Sequence, residues 1–150
     1  PKMLNDIFIK LIGNAIVQAG RAIKVHNLKM FASKNFNITP EQFLVLSMLN
    51  DDAELYQNKL CEELYKDKSN MARILSVLGK KGLIEKFQTT ENKKQVNKIK
   101  ITPKGKQVRD EITPIMKNSR EHYLDGVTQD EMYTCLKVLS KIQENLAKKE

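Results

Sequence analysis

Five side chains between positions 69 and 76 are spaced to do chemistry together: Ser69, Asn70, Ala72, Arg73 and Ser76. They are what remains outside a helix once Met71, Ile74, Leu75 and Leu78, spaced by three and four, are given to a core. The outward set contains short hydrogen bonders, one small residue and one guanidinium, a composition suited to a major groove. Small side chains allow close approach, Asn can pair bidentately with adenine, Arg can do so with guanine, and Ser can reach a phosphate. Taken alone, the same residues have a plainer reading, in which Ser69 is an N-cap and Arg73 a solvated charge.

A second basic group follows. Lys93, Lys94 and Gln95 sit in a polar stretch, with Lys98 and Lys100 just beyond, while Lys66 and Lys68 lead into the helix. From Lys66 to Lys106 there are twelve Lys and Arg against three acids, a net charge of +9. The whole chain carries +8, so everything outside this stretch sums to −1. Charge concentrated in this way is the footprint of a polyanion partner. Its plainer reading is a solvated lysine-rich face, and that of the lysines from 93 to 100 an edge that discourages strand pairing.

The elements that must hold these residues can be read from periodicity and capping signals. Residues 4 to about 35 repeat apolar positions at helical spacing, including Ile7, Phe8, Leu11, Ile12, Ala15 and Ile16. That face is longer than a helix needs inside its own small domain and suggests a partner subunit. Thr39-Pro40-Glu41-Gln42 is a capping box with Pro at the first helical position, and it opens a helix carrying Phe43, Leu44, Leu46, Met48 and Leu49. A short helix from about Gln57 to Tyr65 turns Leu60, Cys61 and Leu64 inward. After the connection Lys66-Asp67-Lys68, a further helix runs from about Ser69 to Lys81 and ends at Gly82. Two amphipathic helices joined by a tight turn form a helix-turn-helix.

Leu83 to Gln88 and Val96 to Ile101 read as strands, with Thr89 to Gln95 as the tip between them. A two-stranded hairpin in that position is a wing. Thr102-Pro103 opens a helix to about Leu124, with a kink or break expected at Pro114, and Thr128 to Glu131 is a capping box for the last helix. That helix carries Met132, Cys135, Leu136, Val138, Leu139, Ile142 and Leu146. The fold class expected is mainly α with a small β-hairpin wing. The chain should form one domain over 1–150, with long helices at 4–35 and 103–149 and a winged helix-turn-helix lobe at 38–102.

Composition narrows the function. No apolar run approaches the roughly 20 residues of a membrane span, and Lys10, Gln18, Arg21 and Lys24 break the N-terminal pattern, so neither a span nor a signal peptide is expected. The default compartment is the cytoplasm. There is no glycine-rich phosphate loop and no nucleophile–His pairing at a recognisable spacing, and Glu62-Glu63 diverge around a helix, so no enzyme is expected. His26 and His122 are far from Cys or paired carboxylates, so no metal or cofactor is expected. Cys61 and Cys135 fall in apolar helical patterns and read as buried thiols.

At this point a family resemblance is visible. Asp67-Lys68-Ser69-Asn70-Met71-Ala72-Arg73-Ile74-Leu75-Ser76-Val77-Leu78-Gly79-Lys80-Lys81-Gly82-Leu83-Ile84-Glu85-Lys86 resembles the recognition helix and first wing strand of MarR-type transcriptional regulators. Ile38 to Phe43, Leu60 to Leu64 and Ile101-Thr102-Pro103-Lys104-Gly105 resemble other parts of that family in order and spacing. The resemblance covers the chain. It implies a homodimeric winged-helix DNA-binding repressor or activator, with a repressor as the first expectation. The first and last two helices would interlock, the recognition helices would enter successive major grooves of a palindrome, and the wings would reach flanking minor grooves. Ser69, Asn70, Ala72 and Arg73 fall on the contacting face, flanked by Lys66, Lys68 and Ser76.

Two wing positions depart from the family. Its wing usually carries an Asp, any residue, then an Arg, and here these read Lys93-Lys94-Gln95. The charge is kept but the minor-groove guanidinium is lost, so a wing acting mainly through phosphates is expected. Many members of the family bind small aromatic or lipophilic ligands. The first helix here has no cysteine, which argues against the peroxide-sensing subtype, and a hydrophobic effector or none is the expectation. Two alternatives stay open: a winged-helix module docking an acidic protein partner, and a redox-responsive regulator using Cys61 or Cys135.

Overall fold

The computed structural model describes residues 1–64 and 66–148. Tyr65, expected at the end of the third helix, and Lys149, expected near the end of the last, lie outside the described residues. The elements run α1 (Lys2–Ser33), α2 (Pro40–Ser47), β1 (Leu55–Tyr56), α3 (Gln57–Glu63), α4 (Lys68–Lys80), β2 (Ile84–Glu91), β3 (Lys94–Ile101), α5 (Pro103–Tyr123) and α6 (Gln129–Ala147). They form two compact units, Pro1–Asp110 and Glu111–Glu150.

In the first unit, helix ends follow local chemistry. The α1 helix stops in a Schellman arrangement: Asn35 adopts φ +56, its N–H donates to the Ala32 carbonyl, and the Phe36 N–H donates back to the Phe31 carbonyl. The Phe31 and Phe36 rings meet edge to face with centroids 5.1 Å apart, which supplies the apolar contact of that motif. The capping box on α2 is complete, with the Gln42 N–H donating to Thr39 Oγ1 at 3.1 Å and the Thr39 N–H donating to Gln42 Oε1 at 3.0 Å. In α2, Phe43, Val45 and Leu46 are buried; Leu44, expected inward, is exposed, and Val45 takes its place.

The helix α4 turns Met71, Ile74, Leu75 and Leu78 into the core, as its spacing predicts. It also ends in a Schellman arrangement. Gly82 takes φ +74, its N–H donates to Gly79 O, and the Leu83 N–H donates to Leu78 O. Leu60, Leu83, Ile84, Ile99 and Ile101 complete this core, and Phe31 and Phe43 extend it with ring centroids 6.2 Å apart.

The sheet has three strands, not two: its order is β1-β3-β2, all antiparallel, with Leu55 opposite Ile99 and Tyr56 opposite Lys98. The two-residue β1 is too short to produce a readable alternation. The wing strands are also longer than expected, and the tip shrinks from Thr89–Gln95 to the two residues Asn92 and Lys93. Both have positive φ, +50 and +64, the geometry of a type I′ hairpin turn whose twist matches the strands.

Thr102 joins the sheet to α5. Its hydroxyl donates to Gly82 O at 2.6 Å and accepts from the Gly105 N–H at 3.0 Å. Pro114 lies inside α5, which continues past it to Tyr123, so the expected break is absent. Proline removes one donor but its fixed φ is helical, so flanking turns can carry the helix through.

In the second unit, Ile112, Met116 and Ser119 are buried. The second capping box is formed by Thr128 and Glu131. No residue of α6 is buried: of its expected stripe, Leu136 and Leu146 are 66% and 80% exposed. Neither cysteine is buried as expected, since Cys61 is half-buried and Cys135 exposed. No helix among the described residues is long and apolar enough to cross a membrane.

Candidate nucleic-acid interface

The outward face of α4 starts at its cap. Asp67, not Ser69, is the N-cap, with Oδ1 accepting the Asn70 N–H at 2.6 Å. Ser69 is thereby relieved of the capping role and is exposed on the first turn, next to Lys68. Ala72 and Arg73 are exposed, while Asn70 and Ser76 are half-buried. Arg73 Nη2–H donates to Asn70 Oδ1 at 2.6 Å, so the two residues chosen from sequence as base readers touch each other. Asp67, Asn70 and Arg73 follow one another at intervals of three, which places them on one side of the helix.

The charge of the +9 stretch is only partly free. Lys66 pairs with Glu41 at 3.5 Å and its side chain is 14% exposed, which turns this expected phosphate contact towards α2. Lys81 Nζ donates to the Asn37 carbonyl, and Lys104 Nζ donates to the Lys81 carbonyl at 3.1 Å. Lys106 lies 3.8 Å from Asp52.

The largest change concerns Lys98, read from sequence as part of the second basic group. It lies 2.7 Å from Glu91 and 3.5 Å from Glu54, above the Tyr56 ring at 5.0 Å. Tyr56 Oη donates to the other Glu91 oxygen at 2.6 Å. Glu91 on β2, Lys98 on β3 and Tyr56 on β1 thus tie all three strands together near the wing. The hydrogen bond from Lys98, reinforced by that from Tyr56, holds the Glu91 carboxyl below its usual value. Glu91 in turn raises both Lys98 and Tyr56. Sequence periodicity could not reveal this group, because strand pairing brings Glu91 to Lys98 across the hairpin and Tyr56 to both from 35 and 42 residues away.

The wing tip is exposed, as are Lys86 and Lys100 along its strands. Lys93, Lys94 and Gln95 are all exposed, with Lys93 in the turn and the other two on β3, where alternation sends them to opposite faces. Lys93 occupies a left-handed conformation that Gly or Asn would hold at lower cost.

Arg109 was also missed. Its guanidinium donates to the Leu49 carbonyl at 2.8 Å, to Asp51 at 2.5 Å and to Asp110 at 2.9 Å, closing the loop after α2. Asp51 is consequently lowered from its ordinary range. This group supports the lobe and lies outside the exposed basic face. Among the described residues no group of three or more His, Cys, Asp or Glu could hold a metal ion.

Comparison with known proteins agrees with this geometry. A sequence profile of the MarR family matches residues 38–96, from the start of α2's cap to the wing. The chain is 30% identical over 117 residues to an uncharacterized HTH-type transcriptional regulator, YybA, of Bacillus subtilis (strain 168), covering 75% of each chain. It is similar to the crystal structure of the transcriptional regulator SlyA, with TM-score 0.75 and 26% identity over 90% of this chain and 93% of that one. It is also similar to a putative MarR family regulator from Listeria monocytogenes complexed with 26mer DNA, with TM-score 0.74, 29% identity and coverage of 91% and 89%.

Proposed function

The chain belongs to the MarR family and is a DNA-binding transcriptional regulator, and from this premise we propose that it works as a homodimeric repressor on a palindromic operator. The observation that carries the reading is the exposed face of α4, where Ser69, Ala72 and Arg73 project beside half-buried Asn70 and Ser76 with no large apolar side chain among them. Such a face fits a groove lined by hydrogen-bonding base edges better than an apolar protein partner. Lys68 at the start of α4 and Lys93 and Lys94 at the wing tip add exposed charge for phosphates. In this reading residues 38–102 form the DNA-binding lobe and residues 4–35 and 103–149 the dimerisation helices of one domain.

Dimerisation is supported by apolar surface that a monomer would leave in water. On α1, Leu4, Ile7, Phe8, Leu11 and Ile12 are each between 45% and 59% exposed, and on α6 Leu136 and Leu146 are more so. Contiguous apolar patches of this kind are rare on monomers. A dimer places two α4 helices on one duplex, and a palindrome mirrors the protein's two-fold axis.

A small hydrophobic effector is the proposed releasing signal. A shallow cleft of about 470 Å³ lies where α1 meets α2, with Phe31, Phe36, Ile38 and Pro40 in its wall. Asn37 in that wall accepts from Lys81 at the end of α4, so a ligand there would act beside the recognition helix.

The reading is tested by selecting duplexes from a random pool with the full chain. A palindromic site, bound by a species of dimer mass in sedimentation, is the expected result. No enrichment, or a monomer on DNA, would overturn it.

A further inference from the structure

The contact between Asn70 and Arg73 limits what each can read. Arg has only donors, so the atom of Asn70 that faces it at 2.6 Å must be the carboxamide oxygen. Asn recognises adenine by accepting from N6 through that oxygen while donating to N7 through its amide. Here an adenine would have to share the oxygen with a guanidinium, whose positive charge has already drawn on its lone pairs. The two residues together then present chiefly donors: the Asn70 amide and the remaining Arg73 N–H groups. In the major groove guanine offers two acceptors and no donor, O6 and N7, whereas thymine offers one acceptor, O4, beside its methyl group.

We propose that Asn70 is a positioning residue for Arg73, and that the pair selects guanine rather than an adenine–guanine step. The inference rests on the DNA-binding reading above and specifies the edge that α4 recognises. The chain of caps supports it. Asp67 fixes the Asn70 backbone at 2.6 Å, and the Asn70 carboxamide accepts from Arg73, so the guanidinium is held by a residue that is itself anchored before DNA arrives. Pre-orienting a long side chain lowers the entropy lost on binding.

The test compares the full-length wild type with Asn70→Ala and Arg73→Ala, each selected against the same random duplex pool and titrated on the wild-type site and on random duplex. Wild type is expected to enrich a palindrome with a guanine in each half-site. Asn70→Ala should enrich the same bases at every position while binding the site about tenfold more weakly. Its thermal midpoint should stay close to wild type, because Ala keeps the backbone N–H that Asp67 caps, and a general loss of structure would lower it. Arg73→Ala should lose the guanine. An adenine that wild type prefers and Asn70→Ala alone ceases to prefer would overturn the assignment, while the palindrome would still uphold the regulator reading. Failure of wild type to enrich any palindrome would instead remove that reading and this inference with it.

Discussion

A β-carbon on Gly105 would lie 2.0 Å from the Leu83 carbonyl oxygen. The start of α5 and the turn after α4 are thus in backbone contact, and the same turn is held by Thr102, whose hydroxyl bonds Gly82 O and whose N–H donates to Leu83 O at 3.1 Å. The recognition helix is therefore clamped at its C-terminal end by the segment that follows the wing. Gly105→Ala should force the backbones apart and lower stability by about 1–3 kcal/mol, read as a fall in the urea midpoint. An unchanged midpoint would mean that this approach is not tight in solution.

Arg73→Ala should weaken binding to the selected operator by about 1–3 kcal/mol while leaving thermal stability close to wild type, since the guanidinium is exposed. Titration on operator and on random duplex checks both halves of the claim. Equal losses on the two would assign Arg73 to phosphate contact.

The strained turn allows stability and binding to be separated. Lys93→Gly relieves the left-handed cost at φ +64 but adds chain entropy, for a net gain of about 0.5–1 kcal/mol. It should also weaken DNA binding on all sequences and reduce the salt slope by about one phosphate's worth. Lys94→Ala should reduce the slope similarly, whereas Lys98→Ala should change it little, because Lys98 is already paired with Glu91 and Glu54. A large slope change at Lys98 with none at Lys93 would reverse these assignments.

The group formed by Tyr56, Glu91 and Lys98 should give the wing a pH window. Glu91 is lowered from 4.5, chiefly by the Lys98 hydrogen bond, so its contribution is full above 4.5 and lost as pH falls through the lower folded value. Tyr56 is raised from 10.0, chiefly by its bond to Glu91, and its contribution is full below 10.0 and lost as pH rises through the higher folded value. Lys98, raised from 10.5 by Glu91, behaves in the same sense as Tyr56. Amide chemical shifts of Val96 and Asn97 should be flat between these limits and move outside them, with Glu91→Gln abolishing the acid limb. Shifts that track pH through the neutral range would contradict the lock.

Much of this molecule is legible in its sequence wherever the deciding contacts are local. The boxes at Thr39–Gln42 and Thr128–Glu131, the stop at Gly82 and the buried stripe Met71, Ile74, Leu75 and Leu78 each depend on residues within one or two turns, so spacing alone determines them. The basic stretch and the outward face of α4 follow from the same periodicity. Tertiary structure decided what those charges do. Strand pairing carries Lys98 to Glu91 and Tyr56, helix packing turns Lys66 to Glu41, and Arg109 reaches back 60 residues to Leu49. It also added β1, whose two residues gain their identity only from pairing with β3. A charge is read from composition, but whether it is free for a phosphate depends on which acid folding sets beside it.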